Sequence, residues 1–257
     1  MCAMTLNICH LYPDLMNTYG DKGNVIALER RCQWRDISCQ VTNLSRQDIL
    51  EPDKYDIIFL GAGQDTESIY EDMMQVKAEG LRTAANEGNV ILGISSGYQM
   101  LGEYYPDVKG NSLAGLSILD MRTEAGTDRI PGNVVCDCIP LQGAEPTDSY
   151  IVGFESHSGK TFLGNGVSPL AKVIQGQGNN GQDGTEGVCY GNIFGSYLHG
   201  SLLPKNYRLT DLLILRALQR KYGNDAAQAA IAVLPDSTAE EIARMSCINR
   251  ILHKESR

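Results

Sequence analysis

The sequence predicts an open, doubly wound α/β sheet, mostly parallel, with helices on both faces and an antiparallel extension. Three observations point there. Short apolar runs alternate with helix-like segments through roughly the first hundred residues. Some of those runs are apolar throughout, as strands buried on both faces of a parallel sheet are. After residue 110 the texture changes to frequent Gly and Pro with short alternating strands.

Taken in order, TLNICHLY reads as a strand, and GNVIALERRCQWRDI follows as a helix. Its inward face holds Val25, Leu28, Cys32 and then Trp34 or Arg35 at helical spacing. SCQVTNL and YDIIFLG are the next strands, SIYEDMMQVKAEGLRTAANEG a helix ending near Gly88, and NVILGI a wholly apolar strand. Right-handed crossovers between such units put helices on both faces. GNVVCDCIP, SYIVGFESH and LAKVIQG read as antiparallel strands, and GNIFGSYLHG closes that region. From about residue 206 the chain turns helical: NYRLTDLLILRALQRKYG, AAQAAIAVL, and a last helix begun by Asp236-Ser237. One domain over residues 1–257 is the expectation, long enough to bury a sizeable core.

Composition removes several classes. The 257 residues are 42% hydrophobic and 21% charged, ordinary for a globular chain and unlike a disordered or coiled-coil one. Lys and Arg number 22 against 31 Asp and Glu, a net charge of −9 that repels nucleic acid. No apolar run approaches the ~18 residues of a membrane helix, and MCAMTLNICHLYPDL lacks the basic start of a signal peptide. The eight cysteines are too sparse for a secreted disulfide framework, so reduced thiols in a cytoplasmic protein are expected. Cys136 and Cys138 form a C-x-C pair with no His nearby, so no metal is expected.

The densest chemical signal is NVILGISSGYQMLGEYY. Gly93-x-Ser95-x-Gly97 matches a nucleophile elbow, in which small flanking residues let a strand turn sharply into a helix and lift the central side chain clear. The next N–H and the helix start then face any oxyanion formed there. The plain alternative is a tight turn with Ser as helix cap. A second glycine loop, IIFLGAGQD, could bring another N–H to the same place. His199 ends the apolar run IFGSYLHG, at the carboxyl edge where open α/β sheets bind ligands. His157 could line the same cleft, and His253 reads as solvated. Gly159-Lys160-Thr161 imitates a phosphate loop, but that motif needs glycine at 154, which is Phe. Nucleotide binding is rejected there.

LYPDLMNTYGDKGN, FLGAGQD, GI-x-x-GYQMLGEYY, GFESHSGKTFL, GQGNN and FGSYLHG, in that order, resemble class I-type glutamine amidotransferases of the cobyric acid synthase-like group. Within it the resemblance is strongest to the glutaminase subunits of lipid II isoglutaminyl synthases. It implies a flavodoxin-like core and no cofactor. Implied too are L-glutamine as substrate and a heterodimer with an ATP-dependent Mur ligase-like subunit that receives ammonia and amidates D-glutamate in peptidoglycan synthesis. The lipid-linked substrate is reached through that partner. By the same resemblance residue 95 is the nucleophile position, His199 the base, and Gly63 with the Ser96 N–H the oxyanion border. Gln99 frames the glutamine pocket and Arg129 grips the α-carboxylate.

Two positions depart from the family. Ser201 stands where many relatives carry the third, acidic member of a triad, which leaves a dyad. Ser95 stands where the family has cysteine, by substitution or natural loss. A thiolate forms readily beside His, whereas a serine hydroxyl must lose its proton during attack. The expectation is a chain inactive as it stands. Two other readings stay open: a non-catalytic glutamine-binding or scaffolding subunit, and a serine hydrolase using Ser95 and His199, for which no carboxylate partner stands out in the sequence.

Overall fold

A computed structural model describes residues 4–63, 66–107, 109–143 and 145–253. Its first half follows β1 (Thr5–Leu11), α1 (Lys22–Gln33), β2 (Ser38–Leu44), β3 (Ile57–Leu60), α2 (Thr66–Asp72), α3 (Ala78–Asn86), β4 (Val90–Ile94) and α4 (Ser96–Met100). The antiparallel part comprises β5 (Tyr104–Pro106), β6 (Ser112–Ala114), β7 (Met121–Glu124), β8 (Ile130–Cys138), β9 (Tyr150–His157), β10 (Lys160–Leu163), β11 (Ala171–Gln175) and β12 (Thr185–Glu186). β13 (Val188–Tyr190) and β14 (Ile193–Ser196) return the chain to the first sheet. Then come α5 (Leu202–Lys205), α6 (Tyr207–Tyr222), α7 (Asn224–Ile231) and α8 (Thr238–Leu252).

The main sheet has the order β13-β14-β4-β3-β1-β2, parallel throughout except for the β13 edge. This is the expected mixed α/β architecture. Side chains alternate across it with a period of two. Ile8, Phe59, Leu92 and Phe194 face α1 and α6, meeting Leu28, Leu213 and Ala217. Cys9, Leu11, Ile58 and Ile91 face the opposite layer, where Leu81 and Ala84 of α3 cover them. On α1 the inward set is Val25, Leu28 and Cys32, with Arg35 buried next; Trp34 points outward and is half-exposed. A second sheet, β12-β11-β8-β9, is antiparallel and buries Cys136 and Cys138.

One element differs from expectation. The helix foreseen over 68–88 is divided: between α2 and α3 the turn Met73–Lys77 widens to a π-helix. Lys77 is fully buried, and its ammonium reaches back to Asp72 at 2.5 Å. Asp72 also accepts from the Tyr12 hydroxyl and the Gln47 N–H. A buried cation needs this pairing, and the wide turn accompanies it.

α1 is tied to α6 by ions as well as by oil. Asp211 takes Arg31 in a fork, Nε at 2.5 Å and Nη2 at 2.7 Å, and Arg35 Nη2 at 2.8 Å. Both guanidiniums are buried. Asp211→Ala leaves Arg35 without a carboxylate and Arg31 with only Glu240 at 3.7 Å, and should cost about 3–5 kcal/mol. Urea unfolding should show the midpoint falling with an unchanged slope.

Candidate active site

Four strand ends converge at the carboxyl edge of the main sheet, and the tightest turn among them follows β4. Ser95 adopts φ 52, ψ −109, a left-handed conformation that an L-residue holds only under constraint. The constraint is visible on both sides. A Cβ on Gly93 would lie 2.8 Å from the Gly97 carbonyl oxygen, and one on Gly97 would lie 2.6 Å from the Leu60 carbonyl oxygen. Only glycine lets the turn close that far. The Ser95 N–H donates to the Ser196 carbonyl at 2.9 Å, and the Ser95 carbonyl accepts from the Gln99 N–H at 2.9 Å. The Gly97 N–H reaches the Gly61 carbonyl at 3.2 Å. The elbow is thus stitched to β3 and β14 by main-chain bonds. α4 is only five residues long, so its dipole adds little to the site.

His199 lies three residues beyond β14 and is held by paired main-chain bonds to Phe154 on β9. Its ring packs against Tyr19, centroids 4.9 Å apart. Nδ1 faces Asp21 Oδ1 at 3.7 Å, and both side chains are buried. The second Asp21 oxygen accepts the Ala62 N–H at 2.8 Å. A carboxylate does therefore reach His199, contrary to expectation, and it comes from the N-terminal segment. Ser201 holds the turn that delivers it: its hydroxyl donates to the Gly20 carbonyl at 2.6 Å.

Gly63 and Ser96 meet directly. The Gly63 N–H donates to Ser96 Oγ at 3.0 Å. Gln64 and Asp65, the end of the FLGAGQD stretch, lie outside the described residues. Arg129 sits exposed just before β8, with Nε on Ser156 Oγ at 2.9 Å and Nη2 on the Tyr19 hydroxyl at 2.9 Å. Gln99 donates to the Tyr197 hydroxyl at 2.9 Å. His157 stacks on Tyr197 at 3.7 Å and bonds through Nδ1 to the Gly159 carbonyl at 2.8 Å, so it frames the cleft. His253 is exposed just past α8.

These groups line one cavity of about 440 Å³ that brings together Ser95, Ser96, Gly63, Gln99, Arg129 and His199. All six residues singled out in the sequence meet there. The volume suits a ligand of amino-acid size or somewhat larger. Among the described residues no cluster of three or more His, Cys, Asp or Glu is placed to hold a metal, and no helix is long and apolar enough to cross a membrane. Lys160 opens strand β10, not a helix, so Gly159-Lys160-Thr161 is no phosphate loop.

Residues 7–207 match the CobB/CobQ-like glutamine amidotransferase domain. The chain belongs to that family. It is 38% identical to the lipid II isoglutaminyl synthase (glutamine-hydrolyzing) subunit GatD of Streptococcus pneumoniae, over 92% of this chain and 90% of that one. The subunit of the same name from Staphylococcus aureus is 39% identical over 84% of this chain and 86% of its own length. The solved structure of PurLQS from Thermotoga maritima shares the fold at TM-score 0.56, with 20% identity, covering 89% of this chain and 98% of that one.

In this amidotransferase fold several residues that sequence reading passed over shape the site. Asp21 and Tyr19 lie in the LYPDLMNTYGDKGN stretch, whose density of polar residues after a strand was the available signal. GQGNN proves to be a brace: Asn179 accepts from the Tyr98 hydroxyl, and Glu155 takes the Gln177 and Gly178 N–H groups at 2.9 Å each. Glu186 lies behind the elbow, fully buried, accepting the Ser196 hydroxyl at 2.5 Å and the Tyr197 N–H at 3.0 Å.

Burial pushes the Glu186 carboxyl up to about 7, against an ordinary 4.5. The folded chain thus keeps a proton there that the unfolded chain gives up near 4.5. Stability must fall as pH rises between those values, with the whole cost, ~3 kcal/mol, present above the upper one. Glu186→Gln keeps an acceptor for both donors and should flatten that slope in denaturant unfolding measured from about pH 4.5 to 7.5. An unaltered slope would place the titration elsewhere.

Proposed function

We propose that this chain is the glutamine-binding subunit of an enzyme that amidates D-glutamate in the lipid II stem peptide. With serine at 95 it holds glutamine without appreciable hydrolysis. The observation that carries this reading is the convergence of the residue 95 elbow, the His199–Asp21 pair and the Arg129 guanidinium on one cavity. The likeness to two GatD subunits over most of the chain supports the substrate. ATP-dependent activation of the acceptor carboxylate falls to a Mur ligase-like partner in the cytoplasm, and the mouth of the cavity near His199 faces that partner.

The geometry supports a role for each group. Arg129 offers a planar fork that suits the α-carboxylate of glutamine. Gln99, pinned by Tyr197, forms the wall beside it. With cysteine at 95, His199 takes the thiol proton, and the thiolate attacks the side-chain amide carbon. The tetrahedral oxygen then needs N–H donors, and those within reach belong to Ser96 and Gly63. On collapse the imidazolium returns its proton to the leaving nitrogen, and ammonia departs. Water hydrolyses the thioester to glutamate. Asp21, 3.7 Å from Nδ1, favours the imidazolium by its charge. Serine lacks the preformed ion pair, which is why this chain should bind and not turn over.

One observation favours a second reading. The Asp21 carboxylate supplies the partner that a Ser95–His199 hydrolase requires. Its separation of 3.7 Å is longer than a hydrogen bond, which leaves that triad unassembled here. A p-nitrophenyl ester assay beside a glutaminase assay separates the two.

In complex with the ligase partner, the chain as given should release negligible ammonia from glutamine, and Ser95→Cys should restore release. Nucleophile loss removes as much as ~10⁶ in kcat in a measured hydrolase. His199→Ala added to Ser95→Cys should abolish activity, and Asp21→Asn should lower kcat with little change in KM. Substantial ammonia release with Ser95 in place would defeat this account. So would purification of the chain without the ligase when both are present.

Arg129→Lys on the unmodified chain should weaken glutamine binding by on the order of 1–3 kcal/mol, the range for a charged hydrogen bond. Calorimetry reads this without interference from turnover. Equal affinities would leave Arg129 as a rim residue.

A further inference from the structure

The elbow carries a second hydroxyl, and its position has its own consequence. Ser96 follows the nucleophile position directly and borders the cavity together with Ser95 and Gly63. Its Oγ accepts the Gly63 N–H at 3.0 Å. Gly63 belongs to the loop after β3, where Thr18 and Asp21 bind the neighbouring Ala62 through its carbonyl and its N–H, at 2.9 and 2.8 Å. A Cβ on Gly63 would lie 2.6 Å from the Leu15 carbonyl oxygen, so the main chain is closely packed at this point. Gly63 thus presents its N–H from a constrained backbone, and that one hydrogen is already committed.

We propose that the Ser96 hydroxyl occupies the second oxyanion donor of the site, so that residue 96 as well as residue 95 sets whether the cavity can stabilise a tetrahedral intermediate. This rests on the amidotransferase reading of the cavity. An N–H has a single hydrogen. While it points at Ser96 Oγ it cannot also point, at full strength, at an oxygen formed on the substrate. The ground-state grip is untouched, since Arg129 stands just before β8, away from the elbow and the Gly63 loop. The loss falls on the transition state alone, where one such donor is commonly worth ~10²–10³ in kcat. Serine at 96 acts here through Gly63, as a positioning residue. Restoring sulfur at 95 then recovers only part of the rate, because the donor facing the new oxyanion is still engaged.

The test compares Ser95→Cys with Ser95→Cys/Ser96→Gly and Ser95→Cys/Ser96→Ala, each in complex with the ligase partner. Both double variants should exceed the single variant in kcat by about 10- to 100-fold at unchanged KM. Equal kcat values would overturn the proposal. A lower kcat in the doubles would overturn it too, by making the Ser96 hydroxyl a donor in its own right. Amide hydrogen exchange gives a readout that needs no turnover: Gly63 should exchange faster in Ser96→Ala than in the unmodified chain, with the remaining core amides unchanged. Unaltered Gly63 exchange overturns the proposal whatever the kinetics show. If all three variants carrying Ser95→Cys stay inert while Gly63 exchange does accelerate, the failure lies with the glutaminase reading, and Ser96 still holds the Gly63 amide.

Discussion

A serine held left-handed between two glycines is the constraint on which the site depends. Ser95 at φ 52 can exist only because Gly93 and Gly97 leave no Cβ where main-chain oxygens crowd. Its N–H is bound by Ser196 on one neighbouring strand, and Gly97 is bound to Gly61 just past the end of the other. The strained turn is thereby shared among β3, β4 and β14, each buried on both faces. Backbone strain persists where the surroundings over-determine it. Here the parallel sheet itself does so, and it also fixes the mutual spacing of residue 95, Gly63 and His199.

Buried carboxylates perform the next layer of the same task. Asp21, Glu155 and Glu186 are all fully or nearly fully buried, and each takes main-chain N–H groups: Ala62 for Asp21, Gln177 and Gly178 for Glu155, Tyr197 for Glu186. An ionised or strongly accepting carboxylate satisfies loop amides that no strand partner can reach. The loops after β1, β3 and β11 and the segment after β14 are ordered this way around the cavity. The other Asp21 oxygen stands 3.7 Å from His199 Nδ1, so a residue that folds a loop also sets a negative charge beside the imidazole.

How legible this was depends on sequence distance. The elbow is local: strand, Gly-x-Ser-x-Gly and helix are contiguous, and period and turn chemistry reveal them together. The wholly apolar β3 and β4 announced a parallel sheet for the same reason. Asp21 was hidden because nothing in YGDKGN says which strand end it will face; only the β1–β3–β4–β14 order brings it to His199. Ser201, two residues past His199, clamps Gly20 through its hydroxyl. The division of the helix before β4 was hidden as well, since it answers to a buried Lys77–Asp72 pair whose third member, Tyr12, lies just past the end of β1. The Ser96–Gly63 bond joins residues 33 apart in two different segments, so no local pattern announces it.

On the proposed reading, binding and chemistry occupy different walls of this cavity, and that separation decides what the two serines would do. Arg129 and Ser156 stand on or beside antiparallel strands, to which the proposed mechanism gives no part in bond cleavage. Residues 95, 96, 63 and 199 stand at the ends of the parallel strands. An interaction made equally in ground and transition states sets affinity, while one made only in the transition state sets rate. The oxygen at 95 and the Gly63 N–H engaged at 96 both lie on the second wall. Neither removes a contact that glutamine would make on the first. On that reading turnover can be lost while the strained elbow and the buried carboxylates stay in place, because the parallel sheet holds the geometry whether or not the chemistry follows.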